Sequence, residues 1–112
     1  CEENLENQTI NWSDNKSMCI VLCSNGYPDT YKKNIEIPNL DKITSNNNTF
    51  IYHAGTEMID NKVYATGGRV LNFVSISDDL KKSRESVIHE IENLNWENGF
   101  YRKDIGFRII DK

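Results

Sequence analysis

Nothing in the 112 residues approaches the ~20-residue apolar run that a membrane span needs. The longest apolar stretch of note, Met18-Cys19-Ile20-Val21-Leu22-Cys23, has the length of a strand. No basic region precedes an apolar one at the start, so no signal peptide is visible. The chain opens on Cys1-Glu2-Glu3 instead of Met, and the expectation is a piece of a longer polypeptide. Positive charge is not in excess. The net charge of −4 and pI near 5.1 argue against an autonomous nucleic-acid binder. They leave room for a small phosphorylated ligand, which needs only one or two local cations.

Cysteine is scarce and odd in number: Cys1, Cys19 and Cys23. Four residues along a strand put Cys19 and Cys23 on one face but too far apart for a disulfide. His53 and His89 stand isolated, with no zinc spacing around them. Buried free thiols in a reducing cytoplasm are the expectation. Sequons at Asn7, Asn11, Asn15 and Asn47 arise readily among 15 Asn residues, and glycosylation is not expected. The Asn enrichment itself reads as genome base composition. No Ser or Cys sits in a nucleophile elbow, so a catalytic triad has no support.

What is present suffices for one domain. A folded monomer of 13.0 kDa exposes roughly 6,300 Å², about a third of its unfolded surface. Residues 1–16 are acidic and Asn-rich, with Leu5, Ile10 and Trp12 as the apolar exceptions, and read as a lead-in. A strand is expected over 17–24, closed by Asn25-Gly26. Pro28 pushes Tyr27 out of the helical region, and a long loop with short extended pieces such as Ile35-Glu36-Ile37 follows over 29–48. Further strands are expected over 49–54 and 69–76, with a hairpin over 57–66 turning at Asp60-Asn61-Lys62. Helix is expected over 78–95. Ser77 is the expected N-cap, with Asp78 and Asp79 in the first turn. Leu80, Val87, Ile88, Ile91 and Leu94 share one face of a 3.6-residue period; Lys81, Lys82, Glu85, Glu90 and Glu92 cover the other. The class is a small, mainly β α+β domain with one long helix packed on its sheet.

Four constellations could carry chemistry. Gly67-Gly68-Arg69 allows close backbone approach or positive φ, and sets an Arg fork at the start of a strand, suited to phosphate or carboxylate. It is not a phosphate loop, because the Gly-Lys-Ser/Thr ending is missing and a strand follows. The alternative is a glycine bulge with Arg69 in a structural ion pair. His53-Ala54-Gly55-Thr56 offers a ligand donor or a satisfied structural histidine. Phe100-Tyr101-Arg102-Lys103-Asp104-Ile105-Gly106 could present cations to an anion or another domain, or form a solvated turn with an Arg–Asp pair. Tyr27-Pro28 near Tyr31-Lys32-Lys33 is the weakest.

The ordered set Val-Leu-Cys-Ser-Asn-Gly-Tyr-Pro (21–28), Tyr31 with Lys33, His53-Ala54-Gly55-Thr56, Gly67-Gly68-Arg69-Val70-Leu71 and Phe100 to Gly106 resembles the C-terminal domain of phosphoribosylamine–glycine ligase. The resemblance covers about residues 17–110. Asn34, Thr66, Asn72 and Phe107 depart from the family pattern, which has Gly, Asn, Gly and His there; Asn is the next-best residue for a left-handed turn.

The resemblance implies an ATP-grasp ligase, using ATP and Mg²⁺ to activate glycine as an acyl phosphate. The amine of 5-phosphoribosylamine then attacks, giving glycinamide ribonucleotide in purine biosynthesis. Residues 1–16 would be the lead-in from the ATP-grasp region and 17–112 the single C-terminal domain, a β-rich module of rudimentary barrel-sandwich hybrid type. The partners implied are the ATP-grasp domains of the same polypeptide, with no nucleic acid and no membrane. No catalytic residue, ATP site or metal site is expected within these residues, and the chain alone is expected to be inactive. On this reading Arg69 holds the substrate phosphate, Gly67 and Gly68 allow its approach, and His53 touches the ribose or supports a residue that does. Tyr101, Arg102, Lys103 and Asp104 face the ATP-grasp core or shape the cleft. The competing class is a stand-alone phosphosugar-binding or interaction module.

Overall fold

The computed structural model of the chain describes residues 5–43 and 48–111. Cys1, the Asn46-Asn47 pair and Lys112 therefore lie outside the described residues. Nine strands and helices follow in order: β1 (Lys16–Ser24), β2 (Ile35–Glu36), β3 (Thr49–His53), β4 (Thr56–Ile59), β5 (Lys62–Ala65), β6 (Arg69–Ser77), α1 (Leu80–Leu94), β7 (Gly99–Phe100) and α2 (Phe107–Ile110). Single 3-10 turns stand at Leu5–Asn7 and Leu40–Lys42.

Two sheets form, ordered β3-β6-β1-β7 and β2-β5-β4. The β-branched runs of β1 and β6 pair antiparallel along nearly their whole lengths, Ile20 against Phe73 and Leu22 against Leu71. Alternation puts Met18, Ile20, Leu22, Leu71 and Phe73 on one face, and all five are buried. Helix α1 covers that face with Val87, Ile91 and Leu94, joined by Trp96. Each such buried side chain contributes roughly 1.5–3 kcal/mol. The hairpin turn falls where expected: Asp60 and Asn61 hold φ of 50° and 62°, the left-handed pair that a two-residue primed turn requires. Asn34 has φ 58°, the left-handed region that Asn tolerates in a turn.

Three details of the expected elements are corrected. Ser77 does not cap the helix, because it ends β6, where its hydroxyl meets Ser83 Oγ at 2.9 Å. The cap is Asp79, whose side chain accepts from the Lys82 amide at 2.9 Å. Asp78 and Asp79 thus precede the first turn, where charge still faces the helix N-terminus. Glu90 is buried with Ser83, Val87 and Leu94, since seven residues are nearly two turns and return it to the core side. Cys19 is exposed, not buried; Cys23 is buried.

Candidate functional site

The site begins with a glycine segment clamped from two sides. Ser24, at the end of β1, donates its amide to Gly68 O at 2.8 Å and its hydroxyl to Gly67 O at 2.9 Å. From the other side, Gly55 N donates to Arg69 O at 3.0 Å, while Thr66 N donates to Gly55 O at 2.9 Å. Gly55 and Gly67 touch backbone to backbone: a Cβ on Gly55 would lie 2.7 Å from Gly67 Cα. A Cβ on Gly68 would enter the Tyr27 ring. Neither Gly67 nor Gly68 has positive φ, so the glycines are required by chain-on-chain and ring-on-chain packing.

This clamp fixes the base of Arg69. The β1–β6 register slips there, Leu22 pairing with Leu71 but Cys23 with Arg69, leaving Val70 as the extra residue of a bulge. Bulges redirect the side chains beside them. A glycine-adjacent bulge therefore exists, but its expected companion does not: among the described residues Arg69 makes no ion pair. The Arg69 side chain is exposed and borders two clefts.

The first cleft, about 540 Å³, is polar and walled by Tyr27, Tyr31, Gly55, Gly68, Arg69 and Asn72. Four of the sequence motifs, at 21–28, 31–33, 53–56 and 67–71, meet in it. The Tyr27 and Tyr31 rings pack at 6.4 Å, tilted by 58°, on one side of it. The second, about 380 Å³, is largely apolar and lies between β1 (Cys19, Val21, Cys23) and the end of β7 with the segment after it (Phe100, Tyr101, Ile105). Arg69 belongs to both walls, and its positive charge partly offsets the rise that burial gives the Cys23 thiol.

The remaining candidates fall around this pair of clefts. His53 is outside the wall of the polar cleft: its ring Nδ1 meets Thr56 Oγ1 at 2.8 Å, as a satisfied structural histidine does. Arg102 pairs with Asp104 by two bonds, of 3.0 and 2.6 Å, at the rim of the apolar cleft. That bidentate bond raises the Arg102 pKa and holds the Asp104 carboxyl below the usual carboxylate range. Lys103 lies over the Tyr101 ring at 5.8 Å, and its carbonyl accepts from Arg84. Burial first, then the Glu92 carboxylate, raises the Tyr101 phenol. Among the cleft residues, Asn72 was named in the sequence only as a departure from the family pattern, and Tyr31 only in the weakest constellation and among the ordered motifs. Asn72 gave itself away only as a polar residue inside the most apolar strand.

Comparison with known proteins shows the family. The family model of the phosphoribosylglycinamide synthetase C domain matches residues 17–108. A phosphoribosylamine–glycine ligase of Caldanaerobacter subterraneus is 41% identical over 104 residues, covering 93% of this chain and 24% of the relative. The chloroplastic phosphoribosylamine–glycine ligase of Arabidopsis thaliana is 37% identical over 112 residues, covering 98% of this chain and 21% of the relative. The crystal structure of the Thermotoga maritima phosphoribosylamine–glycine ligase superposes with a TM-score of 0.64 at 30% identity, over 79% of this chain and 21% of that one. The chain thus spans about a quarter or less of the relatives it matches.

Proposed function

We propose a function from one premise: this chain belongs to the phosphoribosylglycinamide synthetase C-domain family. It serves as the C-terminal domain of a phosphoribosylamine–glycine ligase, which joins glycine to the amine of 5-phosphoribosylamine with ATP. Within that enzyme its task is to bind the phosphosugar. The observation that supports this is Arg69: a guanidinium without an ion-pair partner among the described residues, on a clamped backbone at the edge of a polar cleft.

A phosphate or other anion in that cleft would meet the planar Arg69 fork. Charge-assisted, two-pronged bonds of this kind are among the strongest available to a side chain. Tyr31 and Asn72 supply hydroxyl and amide groups for ribose oxygens. Gly67 and Gly68 act by holding Arg69 in place, and His53 by bonding Thr56 beside the Ala54–Gly55 wall. Among the described residues no group of three or more His, Cys, Asp or Glu is placed to hold a metal. ATP and Mg²⁺ would be held by the part of the ligase that the relatives have beyond this domain. No helix of the described residues is long and apolar enough to cross a membrane. The expected setting is the compartment of purine biosynthesis, the cytoplasm or, as the Arabidopsis relative's name states of that protein, a plastid.

Arg69→Ala in the full-length enzyme tests this. One charged hydrogen-bonding partner is worth about 1.5–3 kcal/mol, so the KM for phosphoribosylamine should rise about ten- to a hundred-fold with the circular dichroism spectrum unchanged. Arg69→Lys should recover only part, because an ammonium lacks the fork. An unchanged KM would remove the phosphate role.

A further inference from the structure

Two glycines in a row leave a backbone with more freedom than any other pair, and Arg69 follows directly on Gly67 and Gly68. Its fork can read an anion only if something holds that backbone. Ser24 does so from the end of β1, one residue past the point where the β1–β6 ladder closes at Cys23 and Arg69. Its amide donates to Gly68 O at 2.8 Å and its hydroxyl to Gly67 O at 2.9 Å. Among the described residues no other side chain bonds the backbone of either glycine.

Ser24 is itself held on its other side, where it pairs with Gly99 of β7. It is 3% exposed, so water does not compete for its hydroxyl. Its carbonyl accepts from the Tyr27 amide at 3.1 Å. That bond seats the Tyr27 ring against Gly68, and the ring and Arg69 both line the polar cleft. One residue thus reaches the cation and the ring beside it. Ser24 is not in the wall of the polar cleft, so it works through these neighbours and not by touching a ligand there.

We propose that Ser24 is a positioning residue for phosphosugar binding: its hydroxyl, by holding Gly67 O, sets the direction of the Arg69 fork. This inference rests on the phosphate reading of Arg69 above. A two-pronged bond to an anion depends on angle as well as on distance. A loosened glycine pair keeps the positive charge near the cleft but loses its aim. The hydroxyl therefore matters to affinity for the substrate and not to the chemical step, and it matters only while Arg69 is present.

The test is steady-state kinetics of the full-length ligase. Ser24→Ala should raise the KM for phosphoribosylamine about two- to ten-fold, the worth of one neutral hydrogen bond, with kcat kept. Ser24→Cys keeps a weak donor at similar size, should give a smaller rise, and takes the place of the alanine variant if that one does not fold. In an Arg69→Ala background the Ser24→Ala change should add nothing, because its effect runs through the fork. Ser83→Ala removes another buried hydroxyl, one that meets Ser77 Oγ at 2.9 Å on the helix side of the sheet, and should leave the KM unchanged. A KM unchanged in both Ser24 variants overturns the proposal. So does a rise that persists undiminished without Arg69, or one that Ser83→Ala matches. A raised KM for Arg69→Ala beside a normal one for Ser24→Ala removes the role of Ser24 alone; a normal KM for Arg69→Ala removes the phosphate reading and this inference with it.

Discussion

Gly68 has a hydrogen where any side chain would drive a carbon into the Tyr27 ring. Interiors are packed too closely to absorb an added methyl beside a ring held at its own site. Tyr27 is held there by its amide, which donates to Ser24 O at 3.1 Å. Gly68→Ala should therefore cost about 1–3 kcal/mol, read as a lower urea midpoint at unchanged slope. Because the clash is with one ring, Tyr27→Ala in the same chain should return part of that loss, a coupling that a double-mutant cycle resolves. Full additivity of the two changes would show that the ring does not set the glycine requirement. The two glycines were legible as special in the sequence, but their reason was not. A glycine pair fits a ligand, a positive φ or a close-packed chain equally well. The choice is made by Ser24, Gly55 and Tyr27, residues 12 to 44 positions away in the chain.

The elements themselves were largely legible. β1, β3, β6 and the 60–61 turn follow from β-branched runs and from residues that tolerate positive φ. The helix boundary was less so. Ser77, Asp78 and Asp79 are all good caps in isolation, and the winner is decided by where β6 releases the chain. Pairing with Lys16 holds Ser77 in the strand, so capping passes to Asp79. Asp79→Ala should thus cost about 1 kcal/mol of stability, measured by thermal or urea unfolding. Asp78→Ala should cost less, since Asp78 makes only an exposed i,i+4 pair with Lys82. Equal costs would mean that charge near the helix end, and not the specific cap bond, carries the effect. Glu90 shows the same limit: a charged letter in an amphipathic pattern reads as surface, yet its position places it at the core side.

At the scale of the whole molecule, the two clefts lie side by side, and Arg69 lines both. The described residues supply no metal-holding cluster and no phosphate loop. Mixing this chain alone with ATP, glycine and phosphoribosylamine should release no ADP above the protein-free blank; ADP release would place nucleotide chemistry inside these residues.

Sequence by itself determined the class of this protein: strand periods, a helical period, a turn pair and five ordered motifs are local facts of neighbouring residues, and local facts survive in a linear string. Only the tertiary structure decided that four of those motifs share one cleft while the fifth builds the next, that His53 bonds Thr56 outside the wall, and that Arg69 has no ion pair among the described residues. These depend on register and on a bulge, where a shift of one residue turns a side chain to the other face, and no string of neighbours encodes that directly.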